Sequence, residues 1–256
     1  MRREEARLRE LGLWPPQGLV PVERQPTIPA PVSRATPSQV AATGAAASAI
    51  ESDIAMLDWA ALEATVRTYQ ACAIGQTRKQ AVPGGGDRRA RLLVVGGAPG
   101  AEDDQRGEPL VGPAGELFEQ MLLAIGLDRR RVFITSALKC RPSGSHDPGP
   151  DPLAACSPYL ARQVALLQPA AILALGAVAA RALLGGDGGI DAWRGADARH
   201  AGIPVVVSEH PAQLLHSPVD KLRAWEDLCR LDDVLAASGT SSPRAVTVAG
   251  GEPSAS

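Results

Sequence analysis

The sequence predicts an α/β protein built on a parallel, doubly wound sheet, and three observations support that prediction. Short unbroken apolar runs, typical of strands covered on both faces, recur along the chain. Segments with apolar residues at helical spacing alternate with these runs, and glycine-rich turns separate the two. The predicted strands are residues 92–95, 132–135, 170–174 and 205–207.

The remaining elements follow from capping and breaking residues. Asp58 can cap a helix that carries the chain to Cys72. Gly112 and Pro113 open a helix that Gly126 ends. Further helices are predicted over residues 151–167, 177–184 and 221–236.

The two ends of the chain differ from this pattern. Residues 1–16 carry charges with leucines at helical spacing, which predicts an amphipathic helix. Residues 17–52 are rich in Pro, Ala, Ser and Thr and predict a flexible linker, whereas 238–256 predict a disordered tail. A single folded domain over 53–237 remains.

Composition excludes several classes of function. The 256 residues are 45% hydrophobic but only 3% aromatic, so aliphatic side chains must dominate the core. The net charge of -2 is not that of a protein with an overall basic surface, so any nucleic-acid contact must be local. No apolar run has the length of a membrane span, and the charged start is unlike a signal peptide. We therefore expect a cytoplasmic protein without a membrane partner, and a monomer.

The first strand and the turn after it organise the chain. Ligands in open α/β sheets bind beyond the carboxyl ends of strands, and the turn Gly-Gly-Ala-Pro-Gly over 96–100 allows backbone amides to approach a substrate. The turn alone also fits a tight strand-to-helix connection without chemistry, and by itself favours that alternative. It matches neither the dinucleotide-binding G-x-G-x-x-G nor a P-loop, so nucleotide binding is not indicated.

Several motifs together resemble one enzyme family. VVGGAPGAEDD, GEPLVGPAG, VFITSALKCRP, AACSPYL, LALG and HPAQLLHSP occur in the order and spacing of the family 4 uracil-DNA glycosylases, from about Trp59 to Cys229. The resemblance implies a three-layer sandwich with a four-stranded parallel sheet and a [4Fe-4S] cluster. It also implies a partner, DNA containing uracil or a related lesion, whose damaged base flips into a pocket and is excised during base excision repair.

The cysteines match the implied cluster incompletely. Four cysteines in a reducing compartment favour metal ligands or buried thiols over disulfides. Cys140 and Cys156 stand at the family's third and fourth ligand positions and Cys72 at the second, but the first position holds Tyr69. Clusters of this kind ordinarily take four cysteines. The alternatives are a cluster held by three cysteines, incomplete or absent, and three ordinary buried thiols.

The implied pocket has changed at several positions. Gly97 stands where the family has a glutamate that positions water, and Leu110 replaces a stacking phenylalanine. Ser136 replaces an asparagine that reads the uracil edge, and one hydroxyl cannot present the amide's donor and acceptor together. Glu102, Asp103 and Asp104 are interpreted as a solvated acidic cluster at a helix start. The remaining residues expected around the base are Gly96, Ala98, Pro99 and Gly100.

His210 retains the family motif His-Pro-Ala. A lone histidine is more often structural, but the resemblance implies that this one donates to the uracil O2 as negative charge builds on the leaving base. Glu209 beside it is unfavourable near phosphate. The residues expected to contact the DNA backbone are Lys139, Arg141, His216 and Lys221.

Two functions remain open from the sequence. The first is a glycosylase of doubtful or weak activity, with His210 stabilising the leaving base and backbone amides of 97–100 holding water. The second is a catalytically impaired paralogue that binds DNA or a protein without excising a base. A superfamily relative also lacks the first-motif carboxylate, so Gly97 alone does not decide between them.

Overall fold

The structure is a computed structural model, which describes residues 53–69, 78–142, 148–186 and 188–239. The predicted N-terminal helix and linker, Cys72, and the tail beyond residue 239 lie outside the described residues, so their predicted structures stay predictions.

Strands of the described chain form one mixed sheet with the order β1-β3-β2-β4-β6-β5. The strands are β1 (Gly85–Gly86), β2 (Leu92–Gly96), β3 (Val132–Ser136), β4 (Ala171–Leu175), β5 (Ala198–His200) and β6 (Ile203–Ser208). The inner strands β3, β2, β4 and β6 pair in parallel, which confirms the predicted four-stranded sheet. The short outer strands β1 and β5 pair antiparallel and were not predicted.

Helices connect and cover the strands. They are α1 (Trp59–Thr68), α2 (Ala101–Arg106), α3 (Gly112–Ala124), α4 (Pro150–Leu167), α5 (Ala177–Leu184), α6 (Ile190–Trp193), α7 (Pro211–His216) and α8 (Asp220–Ala237). Asp58 caps α1 as predicted, since its carboxylate accepts from the amide of Ala61 at 2.8 Å. The helix ends at Thr68 and does not run on to Cys72, because Tyr69 adopts an extended backbone with φ -62° and ψ 123°.

The two faces of the sheet bury different helices, because side chains alternate along each strand. Leu92 and Val94 of β2 pack in one cluster with residues of α3, α7 and α8. Leu93 and Val95 of the same strand pack in another with residues of α4 and α5. The result is the predicted three-layer α/β sandwich.

The strand register brings the carboxyl ends of the parallel strands to one edge. Gly96 is the register partner of Ser136, and Leu175 is the partner of Ser208. The loops that follow β2, β3, β4 and β6 therefore converge. In the part of the chain that the structure describes, no helix has the length and apolar character needed to cross a bilayer. The cytoplasmic location and the monomeric state stay predictions.

Candidate active site

The candidate active site lies at this edge, where Gly96, Ser136 and His210 meet. A β-carbon placed on Gly96 would lie 3.5 Å from Oγ of Ser136 and 3.8 Å from Nε2 of His210. Ser136 is the buried last residue of β3, and His210 is the N-cap of α7. Because Gly96 has no side chain, a small space remains between the hydroxyl and the imidazole, at the position where ligands bind in sheets of this type.

His210 is held as a neutral hydrogen-bond donor. Its Nδ1 accepts from the backbone amide of Ala212 at 3.2 Å. A neutral imidazole whose Nδ1 accepts carries its proton on Nε2, the nitrogen nearest the space beside Gly96. Burial lowers the pKa of His210, while the charge of Asp103 acts in the opposite direction. The ring can therefore donate through Nε2 without carrying a charge of its own.

Gly97 is confined by Val178 at the start of α5. A β-carbon on Gly97 would lie 2.9 Å from Cβ and 3.3 Å from Cγ1 of Val178. Non-bonded carbons prefer about 3.5–4.0 Å, so a side chain at position 97 requires that the turn or α5 move. Gly97 therefore supplies no carboxylate, and the apolar side chain of Val178 occupies the space beside it.

Asp103 links the two glycine-containing turns of the site. Its Oδ2 accepts from the amide of Gly100 and its Oδ1 from the amide of Val111, each at 2.9 Å. The amide of Gly100 already donates to Asp103 and cannot hold a water. This corrects the expectation that all the backbone amides of 97–100 hold the water. Pro99 has no amide proton, so the expected water site narrows to the amides of Gly97 and Ala98.

Asp104 is buried, which corrects its interpretation as part of a solvated cluster. It is 3% exposed and accepts from the amides of Lys79 at 2.9 Å and Gln80 at 3.4 Å. The carboxylate holds the segment that leads to β1. Of the three acidic residues, Glu102 does have the predicted exposed position at the helix start.

Leu110 lies in a left-handed backbone conformation with φ 53°, which is rare for a residue other than glycine. Arg129 holds this segment by donating to the carbonyl oxygens of Leu110 at 2.9 Å and Pro109 at 2.5 Å. The Leu110 side chain is buried in the cluster that contains Phe118 and Leu214. Its role as a wall for a base stays a prediction.

Lys139 does not lie on the surface, and the expectation that it contacts the DNA backbone is wrong. Its side chain is 1% exposed. Nζ donates to Oγ1 of Thr135, the carbonyl oxygen of Ser136 and Oε1 of Gln163, each at 2.7 Å. Burial lowers the pKa of Lys139 to about 7, and the charges of Cys156 and Cys140 oppose this shift.

Cys140 and Cys156 both lie near Lys139 in the fold, and their role as ligands of one cluster stays a prediction. Both thiols are buried, and both influence the ammonium of Lys139. Arg78 donates from Nη1 to Sγ of Cys140 at 2.8 Å. Metals bind cysteine as the thiolate, and the Arg78 guanidinium is a positive charge next to one of these sulfurs.

Tyr69 lies at the same site. Its ring packs edge-on against Tyr159 with centroids 5.4 Å apart. Burial raises the pKa of Tyr159 to about 12, and the charges of Tyr69 and Cys156 add to that rise. Within the described ranges no three His, Cys, Asp or Glu side chains form a metal-binding group. Cys72, the third expected ligand, lies outside those ranges.

The chain is similar to known proteins of one superfamily. A model of the uracil DNA glycosylase superfamily matches residues 83–229. A type-4 uracil-DNA glycosylase of Pyrobaculum aerophilum is 36% identical over 183 residues, which cover 67% of this chain and 92% of that protein. The chain belongs to the type-4 uracil-DNA glycosylase family.

Two further relatives of this family extend the comparison. A type-4 uracil-DNA glycosylase of Thermotoga maritima is 34% identical over 166 residues, covering 62% of this chain and 83% of that protein. One of Sulfurisphaera tokodaii is 48% identical over 106 residues, covering 41% of this chain and 48% of that protein.

The surface around the site of this type-4 family member carries charges of both signs. Arg141 and His216 are exposed and Lys221 is half-buried, so all three remain candidates for contacts with phosphate. They follow the carboxyl ends of β3 and β6, on the side of the sheet where His210 lies.

An ion-pair network that sequence reasoning missed surrounds Glu209. Arg194 lies 3.6 Å from Glu209 and pairs with Asp227 at 3.2 Å and with Asp191 at 3.3 Å. Burial raises the pKa of Glu209 and of Asp227, and Arg194 lowers both. Arg223 also pairs with Asp191 at 3.5 Å, so three carboxylates face two arginines and the network next to His210 has one carboxylate in excess. No motif indicates Arg194, since Glu209 and Asp227 are distant from it in the sequence and only Asp191 is near.

Proposed function

We propose that this chain hydrolyses the N-glycosidic bond of a flipped uracil, or a related damaged base, in DNA, and does so weakly. The observation that supports the proposal is the neutral His210, whose Nε2 lies beside Gly96 and Ser136 at the edge of the sheet. Enzymes that act on a base in DNA receive it in a closed pocket and need a donor where negative charge develops.

In the proposed reaction a water oxygen forms a bond to C1′ of the deoxyribose while the bond from C1′ to N1 of the base breaks. The electron pair of that bond leaves with the base, which becomes an anion, and the proton of the water passes to solvent. His210 donates from Nε2 to the base oxygen on which charge builds. Its lowered pKa means that it stabilises this charge by hydrogen bonding and keeps its own proton.

The predicted weakness follows from the groups that the pocket lacks. Gly97 supplies no carboxylate to position water, and the hydroxyl of Ser136 cannot present a donor and an acceptor as an amide does. Losing one oriented group of this kind typically costs about a hundredfold in rate, or roughly 3 kcal/mol. Such costs are not additive when the groups act on one transition state, but even one of them leaves a slow enzyme.

We further propose that Cys72, Cys140 and Cys156 hold a [4Fe-4S] cluster, with Tyr69 at the fourth position. The support from the described residues is the pair of buried thiols flanked by Arg78 and Lys139. When bound, the cluster would supply a structural cross-link between segments that are distant in the sequence. We place the hydrolytic groups on the chain itself.

A non-excising protein that binds DNA or another protein is the second candidate. The contact between Gly97 and Val178 favours it, because the space of a water-positioning side chain is taken by an apolar one. The acidic surface around Glu209 also weakens the match to a phosphate backbone.

An excision assay on single-stranded and mismatched uracil DNA, using purified and iron-reconstituted protein, separates the candidates. Slow excision by the natural chain, lost in His210→Ala, is the expected result. DNA binding without excision would instead support the non-excising candidate. Fast excision that survives His210→Ala would show that other groups perform the chemistry.

A further inference from the structure

The turn of residues 109–111 has a backbone conformation that its sequence does not favour. Leu110 is buried and has φ 53°, in the left-handed region. A residue with a β-carbon is disfavoured there, because the β-carbon crowds the backbone, and such a conformation persists only where neighbouring contacts determine it. The contacts around Leu110 must therefore offset the cost of its conformation.

Arg129 holds two successive carbonyl groups of this turn. It is the first residue of the 3₁₀ helix Arg129–Arg131, which leads into β3. Nη1 donates to the oxygen of Leu110 at 2.9 Å, and Nη2 donates to the oxygen of Pro109 at 2.5 Å. Glu119 of α3 lies 3.6 Å from Nη1. A guanidinium is a rigid fork of donors, so its two bonds together fix the orientation of both peptide groups.

Two further contacts fix the turn from other elements. Asp103 of α2 accepts from the amide of Val111 at 2.9 Å. Gly115 of α3 leaves room for the backbone of Leu110, since a β-carbon on this glycine would overlap the carbonyl oxygen of Leu110. The turn is thus held by hydrogen bonds from two elements and by close packing on a third.

The same contacts connect the turn to the candidate active site. Asp103 also accepts from the amide of Gly100, so one carboxylate bonds this turn and the turn that follows β2. The Leu110 side chain lies in the same buried cluster as Leu214 of α7, the helix that His210 caps. The position of residues 109–111 is therefore fixed relative to the elements that carry the site.

We propose that Arg129 is a positioning residue for base binding, which holds Leu110 in the left-handed conformation and so keeps residues 109–111 as a rigid wall for the flipped base. The inference rests on the proposed function. Strained backbone fixed by several contacts is typical of ligand sites, where a wall that is already ordered does not have to be ordered by the ligand. Without Arg129 the turn relaxes, and binding of the base must order it again.

The test measures the affinity for a base apart from the affinity for the DNA strand. One labelled single strand carries a 2′-fluorinated deoxyuridine, whose C1′–N1 bond resists hydrolysis, and the other carries a tetrahydrofuran abasic site. Arg129→Met should weaken binding of the uracil strand about tenfold, the equivalent of ordering roughly one residue. Its affinity for the abasic strand should not change, because that strand offers no base to the wall. Fluorescence anisotropy measures both.

The excision rate provides a second measurement. A wall that contacts the base before and during the reaction contributes uniform binding. Arg129→Met should therefore raise the half-saturating concentration of a uracil strand in single-turnover excision and leave the maximal rate within about twofold of the natural one. A general loss of structure would instead lower the maximal rate.

Three variants serve as controls and alternatives. Arg130→Met is the matched control, since Arg130 is the next residue of the 3₁₀ helix, its side chain is 90% exposed and it pairs with Asp128. Arg129→Lys can donate to one of the two carbonyls and should give an intermediate affinity. Gly115→Ala keeps Arg129 and displaces the turn with its β-carbon, so it should also weaken binding of the uracil strand selectively. This variant decides the matter if Arg129→Met does not fold.

Equal losses for the uracil and abasic strands, or a loss no larger than that of Arg130→Met, would overturn this inference alone. A natural chain that prefers the uracil strand but excises nothing would contradict the proposed hydrolysis, and the binding data would still decide the role of Arg129. A natural chain that binds the two strands equally takes up no base, and this result would overturn the proposed function and the inference together.

Discussion

Val178 occupies the space that a side chain on Gly97 would need, with 2.9 Å between Cβ of Val178 and a β-carbon placed on the glycine. The two residues come from different elements, the turn after β2 and the first turn of α5. They form a coupled pair, because a β-carbon at position 97 lies too close to the β-carbon at position 178 unless the turn or α5 moves. The sequence alone suggests the triple change Gly97→Glu, Leu110→Phe and Ser136→Asn as a restoration of the pocket, and this contact shows that it is incomplete.

Restoring a carboxylate at position 97 should therefore need two substitutions. Gly97→Glu alone should destabilise the protein by about 1–3 kcal/mol, as overpacking does, and add little activity. Combined with Val178→Gly, which removes the β-carbon that lies 2.9 Å away, it should fit, and uracil excision should rise about a hundredfold. Urea denaturation and single-turnover excision rates, with Val178→Gly alone as control, complete a double-mutant cycle. Purely additive effects would contradict the coupling.

The sequence predicts the centre of the fold better than its edges. The four parallel strands are unbroken apolar runs, and burial on both faces is what such runs indicate. The strand Gly85–Gly86 carries no apolar signal and forms because its backbone lies opposite Ile134 and Phe133. The helix Ala101–Arg106 begins at the acidic cluster as interpreted, but the burial of Asp104 was not predicted, since carboxylates at a helix start look the same in sequence whether they are solvated or bonded.

Site residues that belong to a sequence motif could be predicted, whereas residues whose role depends on burial in the fold could not. His210, Ser136 and Gly96 meet as the motif order implies, and Cys140 and Cys156 both lie near Lys139. Lys139 was misassigned because a lysine between a strand and a cysteine reads as a surface cation, and sequence does not show its three internal acceptors. Arg194 was missed because an ion pair between distant segments leaves no local pattern.

His210 should make the stability of the protein depend on pH below neutrality. Its folded-state pKa lies below the ordinary value of 6.5, so between these two values the unfolded chain binds more protons. Stability is then present above about pH 6.5 and falls as the pH drops toward the folded pKa. His210→Asn does not titrate, and its amide oxygen can still accept from Ala212 as a helix cap. The free energy of unfolding from urea curves at pH 5 to 8 should fall less steeply in that variant.

The pKa values of Glu209 and Asp227 are raised in the folded state. Both carboxylates are present in the natural chain and in His210→Asn, so their contribution to the pH dependence of stability cancels when the two are compared. Equal pH slopes for the natural chain and His210→Asn would contradict the buried, neutral state of the imidazole. Excision should be absent in His210→Asn at every pH. An asparagine whose oxygen caps the helix has no donor at the position that Nε2 of His210 occupies.

Glu209 should weaken DNA binding, and its removal should strengthen it. Burial raises its pKa in the folded state, so its contribution to stability is present below about pH 4.5 and is lost as pH rises through the raised value. At pH 7 the carboxylate is therefore a liability both to stability and to an approaching phosphate. Glu209→Gln should bind single-stranded DNA several-fold more tightly at low salt, without loss of stability, since Arg194 keeps Asp227 as a partner.

The matched control is Asp233→Asn, which removes the same charge from an exposed position near the C-terminal end of α8. Fluorescence anisotropy with a labelled uracil-containing strand measures both affinities. An equal gain in the two variants would show that only net charge matters, and no gain in Glu209→Gln would place the DNA on another surface.

The remaining cations around the site should carry the salt-dependent part of DNA binding. Arg141 and Lys221 follow the strand ends beside His210, and each phosphate contact on a single strand contributes about 0.7 to the slope of log affinity against log salt. Arg141→Glu with Lys221→Glu should therefore weaken binding and reduce the slope by roughly 1.4. Arg89→Glu is the control, since this exposed arginine precedes the amino end of β2, at the opposite edge of the sheet. A slope that falls as much in the control as in the pair would mean that the DNA does not approach the edge where Gly96, Ser136 and His210 lie.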